Sequence, residues 1–106
     1  MKIIISGKQL KITDAIKTYA EEKIEKISKY TDAITEVDVV LSVVNTKSEG
    51  EVHKADGLVY ASGTKIKIEA ESSDLYAEID DLSDRLERQV RKYKEKQKDH
   101  NKKGNR

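Results

Sequence analysis

The 106-residue sequence contains no cysteine. That excludes a disulfide framework, a thiolate metal site and a cysteine nucleophile, and it suits a reducing cytosol. Long apolar runs are missing too. The longest, Val37 to Val44, is interrupted by Asp38 and Ser42 and is too short to span a bilayer. The opening Met1-Lys2-Ile3-Ile4-Ile5-Ser6-Gly7 is too brief an apolar stretch for a secretory signal. These absences lead to the expectation of a soluble, cytoplasmic single domain.

Catalytic chemistry is equally thin. The two histidines, His53 and His100, are far apart in the chain, and no carboxylate–histidine spacing suits zinc or iron. There is no Gly-x-x-x-x-Gly-Lys-Ser/Thr loop and no Gly-x-Ser-x-Gly elbow. Asp80-Asp81 looks like a carboxylate pair, but neighbours on a helix point about 100° apart, so surface charge is the simpler role. No enzyme, metal, cofactor or small-molecule substrate is expected. Aromatics are limited to five tyrosines, and no strand carries an exposed aromatic pair for base stacking. Recognition of RNA would therefore rest on phosphate and shape, which points to structured RNA.

What the chain does contain is enough for one core. Isoleucine, valine and leucine account for 25 residues, above the ~20% below which a highly charged chain stays unfolded. A domain of this length hides roughly 60–70% of the surface its unfolded chain exposes.

Apolar periodicity gives the order of elements. Residues 2–6 read as a short strand ended by Gly7. Thr13 or Asp14 offers an N-cap for a helix to about Tyr30, with Ile16, Tyr19 or Ala20, Ile24 and Ile27 on its apolar face. Residues 35–44 alternate, placing Val37, Val39, Leu41 and Val43 on one face of a strand. Asn45 to Glu51 reads as a polar, mobile loop. Two further strands, about 52–61 and 64–71, meet in a tight turn at Ser62-Gly63, and Asp56-Gly57 suggests a bulge in the first of them. Ser72-Ser73-Asp74 then caps a long helix to about Lys98, whose stripe is Leu75, Ile79, Leu82, Leu86, Val90 and Tyr93. Residues 99–106 are expected to form a disordered basic tail, leaving 1–98 as the domain. The order β-α-β-β-β-α, with one apolar sheet face and two amphipathic helices, defines an α+β two-layer sandwich. Both helices cover the same face of a four-stranded sheet.

The near-zero net charge conceals two opposed regions. Residues 1–84 carry a balance of −6, and residues 85–106 a balance of +7. On a helical wheel Arg85, Arg88, Lys92 and Lys96 fall within an arc of about 80° beside the apolar stripe. The same arc carries Asp74, Glu78 and Asp81 in the preceding turns, so one helix edge changes sign at residue 85. A merely solvated face would mix signs. Cations repeated at one helical turn, ~5–6 Å, can instead meet successive phosphates of a nucleic acid. On the first helix Lys23 falls within the apolar face and Lys26 at its margin. Both are expected to emerge between the helices and to face the Arg85–Arg88–Lys92 row across one cleft. The competing reading is a protein-interaction module that uses the hydrated sheet face or an edge strand.

Longer segments carry a resemblance. Ile5-Ser6-Gly7, Ile12-Thr13-Asp14-Ala15-Ile16, Glu22-Lys23-Ile24-Glu25-Lys26-Ile27 and Tyr30 resemble the opening of the bacterial hibernation-promoting factor and ribosome-associated inhibitor family. Asp74-Leu75-Tyr76-Ala77-Glu78-Ile79-Asp80, Leu82 and the run Asp84 to Lys94 resemble its second half. The resemblance implies a β-α-β-β-β-α domain similar in outline to double-stranded RNA-binding domains. It also implies binding to the small ribosomal subunit, through ribosomal RNA in the mRNA and tRNA channel. Such binding would inhibit translation and preserve idle ribosomes under stress or in stationary phase. The family's RNA-contacting positions map onto Lys23, Lys26, Arg85, Arg88, Arg91, Lys92 and Lys94. One departure is Glu78, where the family usually has a small residue. Long members add a C-terminal domain that dimerises ribosomes, so the chain reads as a short form or as the N-terminal part of a long one. Ribosome dimerisation stays open.

Overall fold

The computed structural model describes the backbone of residues 1–104 and the side chains of residues 1–96. Strand β1 (Lys2–Lys8) leads through helix α1 (Asp14–Glu25) and a 3-10 turn (Lys26–Lys29) to β2 (Ile34–Thr46). Strands β3 (Gly50–Ala61) and β4 (Thr64–Ser72) follow, and helix α2 (Leu75–Gly104) completes the order. The sheet runs β1-β2-β3-β4, with β1 parallel to β2 and the remaining pairs antiparallel. β1 and β4 are therefore the two edge strands. This is the α+β sandwich expected from the sequence.

Local chemistry explains the element boundaries. Gly7 lets β1 turn away, because a Cβ there would stand 2.1 Å from the Leu10 carbonyl oxygen. The Thr13 hydroxyl caps α1 by accepting the Ile16 N–H at 3.2 Å, and Asp14 sits in the first turn where the helix dipole favours an acid. Asp74 plays the same part for α2, its carboxylate accepting the Ala77 N–H at 3.0 Å. Gly63, at φ +73°, supplies the left-handed residue of the β3–β4 turn.

Three boundaries differ from expectation. The loop expected over Asn45 to Glu51 is mostly strand, since β2 and β3 pair as far as Thr46 opposite Gly50. Thr46 stabilises the short turn: its hydroxyl accepts the Glu49 N–H at 3.0 Å and donates to the Gly50 carbonyl at 3.1 Å. No bulge occurs at Asp56-Gly57, where the register runs through without a shift; the irregularity falls at Ile34/Glu36. Gly57 has another reason to be there. The Leu82 side chain comes within 3.4 Å of the position its Cβ would take. Lastly, α2 continues past the expected end at Lys98 to Gly104, with neither proline nor glycine to stop it earlier. Of the expected tail, residues 105–106 lie outside the described residues, as do all side chains from 97 onward.

Between the sheet and the helices lies a single core. Ile24 of α1, Ile27 of the 3-10 turn, and Ile79, Leu82, Leu86 and Val90 of α2 bury their side chains in one cluster with Val37, Val39, Leu41 and Val59 of the sheet. Each such aliphatic side chain contributes about 1.5–3 kcal/mol. The opposite sheet face is wet and charged, with Lys54 paired to Glu71 at 3.9 Å and Lys67 to Glu69 at 3.6 Å.

One core residue is out of character. Glu78, expected on the acidic edge of α2, is 0% exposed, and neither carboxylate oxygen finds a partner among the described residues. Burial first, and the Asp74 charge second, push its carboxyl up to about 8, so it is held neutral at pH 7.

Candidate nucleic-acid interface

The sequence singles out seven cations, five on α2, one on α1 and one on the 3-10 turn, and they do not gather in one place. On the flank toward β4, Arg85, Arg88 and Lys92 gather with Gln89 around one concavity. Lys92 also borders a second concavity with Lys96 and the Ser62-Gly63-Thr64 turn. Arg85 is anchored from its own helix, its Nε donating to Asp81 Oδ2 at 3.0 Å. The Arg88 Nε donates to the Asp84 carbonyl at 3.5 Å. Arg85, Arg88 and Lys92 are all exposed.

The remaining four lie elsewhere. Lys23 is 35% exposed, and its Nζ stands 3.4 Å from Asp80 Oδ1 and 5.5 Å from the Tyr19 ring centre. Hydrogen bonding and charge from Asp80 raise its pKa above the ordinary lysine value. Lys26 is exposed on the 3-10 turn, close enough to help hold the Asp80 carboxyl below the usual range. Arg91 places its guanidinium 6.0 Å from the Tyr30 ring centre, and Lys94 is exposed.

The single cleft lined by two facing cationic edges is therefore a correction. The seam between α1 and α2 is filled by acids and hydroxyls of α2. Asp80 accepts from Tyr19 at 2.5 Å, Ser83 donates to the Lys23 carbonyl at 3.1 Å, and Glu87 accepts from Tyr30 through a short hydrogen bond. A helical wheel fixes each residue's angle to the apolar stripe but not which side of that stripe its neighbouring helix takes. Here α1 packs on the side of Asp80, Ser83 and Glu87, which leaves the Arg85 row facing β4.

Other members of these clusters escaped the sequence reading. Lys29 sits 5.2 Å from the Tyr30 ring centre, so Tyr30 has one cation from each helical segment near its ring. Gln89 and the Ser62-Gly63-Thr64 turn carry no charge, and no charge pattern marks them.

A helix with a cationic second half, laid along one face of a four-stranded α+β sheet with Asp80 and Glu87 turned to the neighbouring helical segment, defines the class. The family it belongs to follows from comparison: residues 3–98 match the model described as Sigma 54 modulation protein / S30EA ribosomal protein, and the chain is a member of that family. A ribosome hibernation promotion factor from Picosynechococcus is 46% identical over 97 residues, covering 91% of this chain and 50% of that protein. The ribosome hibernation promoting factor of Escherichia coli is 38% identical over 100 residues, covering 94% of this chain and 100% of its own length. The chain thus spans half of one curated relative and the whole of another. Among solved structures, the N-terminal domain of Thermus thermophilus Protein Y superposes with a TM-score of 0.76 at 37% identity, over 88% of this chain and 99% of that one. A ribosomal subunit interface protein from Coxiella burnetii gives 0.77 at 30% identity, over 89% and 98%.

Proposed function

We propose that this chain is a non-catalytic, cytoplasmic ribosome hibernation factor. It binds the small ribosomal subunit through ribosomal RNA in the channel used by mRNA and tRNA, inhibits translation and preserves idle ribosomes under stress or in stationary phase. The observation that carries this reading is the change of sign along α2. Asp80, Asp81 and Glu87 are spent within the fold, on Tyr19, Lys23, Arg85 and Tyr30, whereas Arg88, Lys92 and Lys94 stand exposed on the second half. A helix organised this way offers its free charge to a polyanion, and the relatives' names supply the polyanion's setting.

Sucrose-gradient co-sedimentation with purified small subunits across a salt titration tests the proposal. Binding is expected, with log affinity falling linearly in log salt. A complex with a protein that tolerates salt, together with no sedimentation with small subunits, would replace this reading with that of a protein-interaction module.

A further inference from the structure

Beside the Arg85–Arg88–Lys92 cluster lies a cleft whose lining is not simply cationic. Its floor is Ile66 of β4 and Tyr93 of α2, both half-buried, which leaves part of an aliphatic chain and part of an aromatic ring open to an incoming group. One wall is the Ser62-Gly63-Thr64 turn, which contributes two hydroxyl-bearing residues. Across from it stand Lys92 and Lys96, one helical turn apart, with Gln89 beside them. Lys92 enters no ion pair among the described residues.

We propose that this cleft receives one unpaired nucleotide of an RNA strand, its base against Ile66 and Tyr93 and its adjoining phosphates against Lys92 and Lys96. The chemistry of the two halves matches in order. A tyrosine ring stacks on any base, and cations along its border hold the backbone. The Gln89 amide both donates and accepts, so it can pair with the edge of whichever base enters. The inference rests on RNA being the partner. It goes further by placing a base-stacking surface on a protein whose tyrosines otherwise read as core.

The test is a proton–nitrogen NMR titration of the full chain at physiological salt with pentauridylate, uridine monophosphate and inorganic tripolyphosphate. Pentauridylate is expected to move the amides of Ser62, Gly63, Thr64 and Tyr93. Thr64→Glu, an exposed turn substitution, should weaken it roughly tenfold, while Ser48→Glu at the far turn leaves it unchanged. Tyr93→Phe should retain binding and Tyr93→Ser lose it. The same shifts with tripolyphosphate at equal affinity would reduce the cleft to a cation patch and overturn the proposal. So would uridine monophosphate binding as tightly as the strand, or pentauridylate shifts that bypass the turn. Small-subunit co-sedimentation is read separately. Sedimentation without turn shifts removes only the cleft, and turn shifts without sedimentation remove only the ribosomal setting.

Discussion

Tyr19 on α1 donates its phenolic hydrogen to Asp80 on α2 across 2.5 Å, and the same carboxylate oxygen lies 3.4 Å from the Lys23 ammonium. One acid thus joins the two helices and restrains a cation of the candidate interface. The tyrosine's hydrogen bond, followed by Lys23, holds the Asp80 carboxyl below its ordinary value. A depressed carboxylate stabilises the fold above its unfolded pKa, and that contribution is lost as pH falls through the lower folded value.

Replacing Asp80 with alanine should therefore act in two opposite directions. The melting midpoint should fall by on the order of a few degrees, since the hydrogen bond and the ion pair are lost together. Affinity for small subunits at low salt should rise, because Lys23 is released and a negative charge removed. Thermal melts and co-sedimentation on the same preparation check both halves.

Arg85→Ala, Arg88→Ala and Lys92→Ala combined should leave the fold intact, since all three side chains are exposed. Ribosome binding should weaken sharply. The slope of log affinity against log salt should flatten by roughly 2–3, the loss of three phosphate contacts. Binding that survives the triple change with its salt slope intact would exclude this flank of α2 from the interface.

Glu78 sets a pH dependence of the opposite sign. Its folded carboxyl, at about 8, lies above the ordinary 4.5, so the folded state takes up the proton more readily than the unfolded chain. Stability from this group is full below pH 4.5 and drains away as pH rises toward 8. Glu78→Gln keeps the volume and removes the titration. It should be the more stable protein at pH 7 by up to about 3 kcal/mol, a gain that disappears in acid. Urea denaturation of both proteins at two pH values measures the difference.

Gly7→Ala should be severely destabilising, by on the order of 2–4 kcal/mol, because the added carbon meets a backbone oxygen that cannot swing aside. A circular-dichroism melt reads the loss. By contrast Gly57→Ala meets only the tip of Leu82 and should cost about 1 kcal/mol or less.

These residues also mark how far the sequence could be read. Alternation in Ile66, Ile68 and Ala70 and the stripe from Leu75 to Val90 fixed β4 and α2, because burial on one face imposes period and polarity together. The polar run Asn45 to Glu51 defeated the same rule. Its pairing is held by backbone bonds and by Thr46, neither of which needs apolar side chains. At the interface, the identity and spacing of Arg85, Arg88 and Lys92 were legible, since one helix carries them all. The partner of Lys23 was not. Asp80 is distant along the chain, and only the packing of α1 against α2 brings the two together. Glu78 misled for a related reason: a wheel position beside the stripe does not say how deeply the folded chain buries it.

The uncapped flanks of the sheet have a consequence for self-association. β1 presents Lys2 and Lys8 along its margin, and β4 presents Lys65, Lys67, Glu69 and Glu71. A second molecule approaching to extend either strand would have to strip water from these ammonium and carboxylate groups before a backbone bond formed. Strand addition by a second copy is thereby discouraged at both margins.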